Sequence, residues 1–401
     1  MNSNNLDQLT TQRKGKGSSS FLSDTLCYCR HPVHLVSISF FLAVTSLSIS
    51  LGVKAQTNSA KGSRIESMAD VIPYIDGRPA AHYRLQARDH GIVLRYGTGP
   101  DRCDYLGARD VWVYEFDDIY YMHYDGAGPK GWLVCLATSK DLVHWKAQGP
   151  VLNLGKPGSD DSRSASYGTV YHDGAKWYMF YLGTPQVTPA PYFIPGFPYL
   201  TMEAESSSPI GPWKKLYDIT PFKTKHRSYY SGSASPGYII KIGNEFRMLF
   251  SASTTNPIMR TLSYARSTSL EKPWVVDKKP LLPPREQVEN SSVYYQYDDS
   301  TWFVFTDHVG MTGQLEYTDA IWVYWTKNLN YVNPKNKAVV LDSSNCNWSK
   351  IIGLPSVIKV GNKLAIFYDG NDTGTIPAGF ASHMRRDIGL AWLQLPIELP
   401  K

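Results

Sequence analysis

An all-β protein is what this sequence predicts, on three observations. Of 401 residues, 42% are hydrophobic and 13% aromatic, and the 11 Trp and 27 Tyr recur in short runs that alternate apolar and polar positions. Runs of this kind, rich in aromatic and β-branched residues, read as strands. The 31 Gly and 26 Pro punctuate them as turn signals. After residue 100 no stretch shows the i, i+3, i+4 apolar spacing of an amphipathic helix of four turns or more.

Residues 1–55 differ from the rest. Arg13, Lys14, Lys16 and Arg30 precede an uncharged run over 35–53, and Val53-Lys54-Ala55 resembles a small-x-small cleavage site. This reads as a secretory signal with a long basic segment, or as an uncleaved membrane anchor formed by 35–53. The serines in the run favour cleavage, so residues 56 onward are expected outside the cytosol, secreted or periplasmic. The chain carries a net +6, but five basic and two acidic residues sit in this leader, leaving only +3 beyond it. With no basic block or aromatic-basic motif, nucleic acid is not expected as a partner. Cys103, Cys135 and Cys346 are too few and too scattered for a metal site. A Cys103–Cys346 bridge is expected only if the chain ends meet, and Cys135, in a strand-like run, reads as a buried thiol. Residues 56–100 read as an extension leading into the main domain, 101–401. Asn290, Asn347 and Asn371 head N-glycosylation sequons.

That domain opens with "GARDVWVYEFDDIYYMHYDG" (107–126), two apolar-alternating runs around Asp117-Asp118. The hairpin returns at 167–184, 237–253, 292–308 and 356–370, turning at Asp173-Gly174, Gly243-Asn244, Asp298-Asp299 and Gly361-Asn362. Met122, Met179, Met248, Val304 and Ile366 are equivalent positions, spaced by 57, 69, 56 and 62 residues. A third run follows each hairpin, at 132–145, 201–213, 262–274, 320–332 and 388–397; a fourth, shorter one follows at 150–152 and 339–341. Four antiparallel strands repeated five times predict a five-bladed β-propeller, because neither a sandwich nor a barrel calls for a repeat of this length.

In such a blade the first strand starts, and the second ends, at the same mouth of a central channel. Arg109, Asp110 and Asp125 therefore converge there. With them come Ser166, Tyr167 and Thr184; Ser233, Ser235 and Ser253; Glu289, Asn290, Asp307 and His308; and Gly353 and Asp369. His123 and Asn371 belong to the same inventory. Asp117, Asp118, Asp173, Asp298 and Asp299 fall on the opposite face as solvated turn carboxylates. Long loops of blades 2 and 5 add Tyr192, Phe193, Phe197, Phe380, His383 and Arg385. Aromatic faces beside hydrogen-bonding groups suit a sugar, so the expected partner is a carbohydrate.

"IYYMHYDG", "KWYMFYLG" and "ESSSPIGPW" give the chain, over residues 100–400, a pattern that resembles the five-bladed propeller glycoside hydrolases of families 43, 32, 62, 117 and 130. "ESSSPIGPW" resembles the S-x-S-P-x-G-P-W ending of family 43. The resemblance implies that Asp110, in the Arg-Asp pair before the first strand, is the general base or nucleophile. It implies a Glu acid at the start of blade 4, where Glu289 falls if the 298–301 turn is about two residues longer than usual. Family 43 also opens blade 3 with an Asp that tunes the acid, and "SGSASPGYI" (231–239) has none. Asp307 or His308 is a candidate for that function; His308 is also a rival acid on the family-117 resemblance, and Glu203 or Glu205 a third option. Asp125, Arg109, Tyr167, Asp369, His383 and Arg385 are the sugar-binding candidates. The resemblance favours inversion, requires no cofactor and admits a structural cation in the channel. Two rivals stand beside an exo-acting hydrolase: a non-catalytic carbohydrate-binding propeller, and a family-130-like phosphorylase using His383, Arg385 and Arg386 for phosphate.

Overall fold

In a computed structural model, residues 62–401 are described except 72, 220, 313–314 and 373–381. The leader and Phe380 lie outside the described residues. After β1 (Ser63–Ser67), β2 (Tyr83–Leu85) and β3 (Arg88–Leu94), the antiparallel pairings divide most strands into sets of four. The first set is β4 (Gly107–Phe116), β5 (Ile119–Gly128), β6 (Gly131–Ser139) and β7 (Lys146–Pro150). The second is β8 (Ser164–His172), β9 (Trp177–Thr184), β10 (Leu200–Ser206) and β11 (Lys214–Lys215). The third is β12 (Ser233–Ile242), β13 (Glu245–Ser253), β14 (Arg260–Ser267) and β15 (Val275–Val276). The fourth is β16 (Val288–Gln296), β17 (Thr301–Thr312), β18 (Leu315–Thr326) and β19 (Lys337–Asp342). The last joins β20 (Ile352–Val360), β21 (Lys363–Gly370) and β22 (Asp387–Gln394) to β3 from the other end of the chain. The extension is thus woven into the sheets: β2 pairs with β19, and β1 with β23 (Ile397–Glu398), both in parallel.

The register matches the repeat spacing. Met122, Met179, Met248, Val304 and Ile366 pair with Val113, Val170, Ile239, Val293 and Val357 on the neighbouring strand. All five are at most 1% exposed. Each falls in a different buried cluster, and each cluster mixes side chains of two neighbouring sets: Val113 and Met122 with Phe367 and Leu390, for example. The core therefore lies between sets rather than inside them. The first strands β4, β8, β12, β16 and β20 neighbour one another in a closed cycle.

Third strands stop earlier than the sequence predicts. Asp141 Oδ1 accepts the N–H groups of Val143 and His144, a local turn that ends β6 at Ser139. The terminal Trp of these runs then packs inward: Trp145 edge-on to Phe367, Trp274 edge-on to Phe180. The fourth run expected at 150–152 lies earlier, in β7, for the same reason. No Cys103–Cys346 bridge forms. The three cysteines among the described residues are free and buried, Cys103 in the cluster with Cys135, and Cys346 in another cluster beside the Tyr368 hydroxyl.

Candidate active site

Every first strand carries a β-bulge at the same level, after Arg109, Ser166, Ser235, Glu289 and Gly353. The bulged residue is left-handed in four sets: Asp110 (φ 55°), Tyr167 (43°), Asn290 (52°) and Leu354 (47°). In the third set the place is taken by Pro236, whose ring forbids that conformation. Left-handed residues other than glycine carry strain of about 1–3 kcal/mol and concentrate at sites where a side chain must be re-aimed. Here they turn Asp110, Tyr167 and Asn290 into one pocket at the open ends of the hairpins.

Arg109 Nε donates to Asp110 Oδ1 at 2.7 Å, and Arg109 Nη1 lies 2.8 Å from His383 Nδ1. The Asp110 backbone N–H donates to Asp369 Oδ2 at 2.9 Å, while Asp369 Oδ1 accepts from Arg386. Asp125 accepts the Tyr167 N–H and sits against Asp110. Burial pushes both carboxyls up. For Asp110 the Arg109 guanidinium opposes the rise, whereas Asp125, facing the Asp110 carboxylate, goes well above the usual range. Of the two, Asp125 is thus the one favoured to hold a proton, and Arg109 favours the charge on Asp110.

Across the pocket, Glu289 Oε1 accepts from Arg260 Nη1 at 2.5 Å. Glu316, from β18, grips the other edge of the same guanidinium with both oxygens, Oε2 at 2.7 Å from Nη2. Burial raises Glu289 to about 7; Arg260 pulls it down, and Glu316 and Asp110 push it up. Asp307 is the cross-strand partner of Glu289. It is fully buried, neither oxygen has a hydrogen-bond partner among the described residues, and burial beside Glu289, Asp369 and Asp110 raises it well above the carboxylate range.

The structure thus brings Arg109, Asp110, Asp125, Tyr167, Glu289 and His383 to one pocket, with Asp369 and Asp307 buried beneath it. Strand alternation sends His308 to the other face of β17. There it stacks on Trp322 at 3.8 Å, with Nδ1 2.9 Å from Asp319 and 3.0 Å from Arg78. Arg385 is exposed, and its left-handed backbone (φ 56°) turns the next residue, Arg386, into the pocket instead. His123 packs between Tyr114 and Trp213, burial lowering it to about 3. Glu203 is buried outside the pocket, and Glu205 pairs with Lys176 and Lys214. The 193–199 loop supplies an apolar wall, where Ile194 and Tyr199 face the pocket beside Trp132. The Trp132 indole N–H donates to the Tyr192 carbonyl at 2.9 Å. Arg260, Glu316 and Trp132 were missing from the sequence inventory of the mouth, which covered the starts of first strands, the ends of second ones and two long loops; Arg386 entered only with the phosphorylase reading. Arg260 and Trp132 begin third strands. Asn290 is 4% exposed, with its N–H on Ser251 Oγ, so the folded chain offers no glycan attachment there.

No family model matches the chain. One stretch of 59 residues is 41% identical to a 1,2-beta-oligomannan phosphorylase of Thermoanaerobacter sp. (strain X514), covering 14% of this chain and 19% of that protein. Among solved structures, one described as a glycoside hydrolase aligns with a TM-score of 0.58 at 13% identity, over 79% of this chain and 96% of its own. An α-L-arabinofuranosidase from Podospora anserina aligns at 0.55 and 12% identity, over 78% and 97%. A thermostable family-43 glycoside hydrolase aligns at 0.51 and 14% identity, over 77% and 98%. At such identities the likeness is one of fold. The chain has the fold of the propeller glycoside hydrolases.

Proposed function

We propose that this chain is an exported glycoside hydrolase, a five-bladed propeller whose first strands line the axis, acting on the ends of carbohydrate chains with inversion. The closed cycle of first strands and five sets of four support the blade count. One observation carries the chemistry: Asp110 and Glu289 line one pocket, each on its own guanidinium, and only the Arg260 beside Glu289 is shared with a second carboxylate, Glu316. Two carboxyls, one ionised and one protonated, are what glycosidic cleavage needs. Glu289 gives its proton to the glycosidic oxygen as the C1–O bond breaks. Asp110 takes a proton from the water that attacks C1 from the opposite side. Arg109 and the protonated Asp125 hold Asp110 ionised and in place. The Trp132, Ile194 and Tyr199 wall supplies the apolar face for the sugar ring, and no cofactor is called for.

Hydrolysis of a panel of plant and algal oligosaccharides, with and without phosphate, tests this against Asp110→Asn. Phosphate-independent sugar release by the parent alone supports it. Sugar binding without turnover in the parent sinks it and leaves a binding propeller. A phosphorylase is the second reading, favoured by three guanidiniums and His383 around the pocket and by the oligomannan phosphorylase match. Each guanidinium is already held by a carboxylate, which weighs against an anion subsite.

A further inference from the structure

The third strand set offers no carboxylate at the mouth; Ser235 stands where a tuning Asp is expected. The group that reaches the acid from that set is instead a cation, Arg260 on β14. Alone, a guanidinium 2.5 Å from Glu289 favours its carboxylate form and disables it as a proton donor. It is not alone. β18 brings Glu316 onto the other edge of the same guanidinium, in a two-oxygen grip on Nε and Nη2 that leaves Nη1 for Glu289.

We propose that Glu316 is a positioning residue for the acid: by occupying the Arg260 fork, it lets that guanidinium orient Glu289 without keeping it ionised. The pair is close to neutral as seen from Glu289, so burial and nearby carboxyls decide the proton. The other groups facing Glu289 are Asp307 on β17, Arg109 and Asp110 on β4, Tyr167 on β8 and Tyr199 before β10. Asp110 favours the protonated form and Arg109 opposes it, while Asp307 is itself raised by Glu289. The inference rests on the reading of Glu289 as the acid.

The test is the pH profile of kcat/KM for the parent, Glu316→Gln, Arg260→Met and Glu289→Gln. In the parent, activity falls as pH rises through about 7, where Glu289 loses its proton. Glu316→Gln leaves the cation uncompensated and moves this alkaline limb down by about one unit, roughly tenfold lost at pH 7.5 and regained near pH 5. Arg260→Met removes the cation and moves the limb up. Opposite displacements support the inference, since loss of structure alone moves neither limb. Limbs that stay put while Glu289→Gln is inactive overturn it and spare the acid reading; turnover by Glu289→Gln overturns both. Should either network variant fail to fold, the infrared difference between parent and Glu289→Gln still decides. A protonated carboxyl band persisting to about pH 7 is expected, and a Glu289 already ionised at pH 5 overturns the inference.

Discussion

Asp110 is held in three ways: by a left-handed backbone, an ion pair with Arg109, and a backbone hydrogen bond to buried Asp369. Replacing it by Asn keeps the shape and removes the base, so turnover is expected to drop by about 10²–10⁴. Sugar affinity, read by calorimetry, should stay within a fewfold; an equal loss of both would make Asp110 a binding group. Asp110, Asp125 and Glu289 were legible because each sits at the end of a repeating hairpin whose register the sequence carries. Arg386 was blurred with Arg385 because the left-handed turn at Arg385 shifts which neighbour faces inward. Arg260 and Glu316 were not legible, since their roles exist only once separate strand sets meet around one guanidinium. Glu203 is a different case, a buried carboxyl with no hydrogen-bond partner among the described residues, which burial raises from near 4.5 to about 8. The folded chain keeps that proton through a window in which the unfolded chain releases it. The Glu203 contribution to stability is therefore full below about 4.5 and falls as pH rises toward about 8, by up to about 1.4 kcal/mol per unit. Glu203→Gln should flatten that slope in urea titrations at pH 5 and 8; an unchanged slope places the titration elsewhere.

At the scale of the element, the hairpin is the unit that sequence reads best. Two-residue turns at Asp117-Asp118 and Gly361-Asn362 force register, and Asp117 and Asp118 adopt the left-handed conformations such turns need (φ 50° and 58°). The fourth hairpin turns over 297–300, two residues longer, and that length places Glu289 at the bulge. The bulges themselves leave no sequence signature, because Asp, Tyr, Asn and Leu fill the same left-handed place. In the third set, Gly237 lies inside the bulge, and a Cβ there would sit 1.8 Å from the Leu249 carbonyl oxygen. Gly237→Ala should destabilise the protein by about 1–3 kcal/mol, measured by chemical unfolding. A change under about 0.5 kcal/mol would mean that β12 can shift away from β13 at little cost.

Over the whole molecule, the two ends of the described chain are joined by interactions of unlike weight. The Arg64–Glu398 pair is solvated on both sides, and Arg64→Ala should change stability by no more than about 1 kcal/mol. Leu94, on β3, is 4% exposed in the cluster shared by the first and last sets; Leu94→Ala should remove about 2–5 kcal/mol. Equal effects of the two changes, compared in one denaturant series, would contradict a closure held by packing. Sequence placed β3 in a separate extension because its partner lies nearly three hundred positions away, beyond the reach of local pattern. That distance has a kinetic side. Leu94 pairs with Ile388, so the strand that completes the ring is made first and used last. Until the final hairpin emerges, β3 and the free edge of the preceding sheet have nothing native to pair with, and the search between such distant segments is slow. A refolding chain is therefore expected to expose these unpaired edges before closure, so that refolding yield should fall as protein concentration rises; a yield independent of concentration would contradict it.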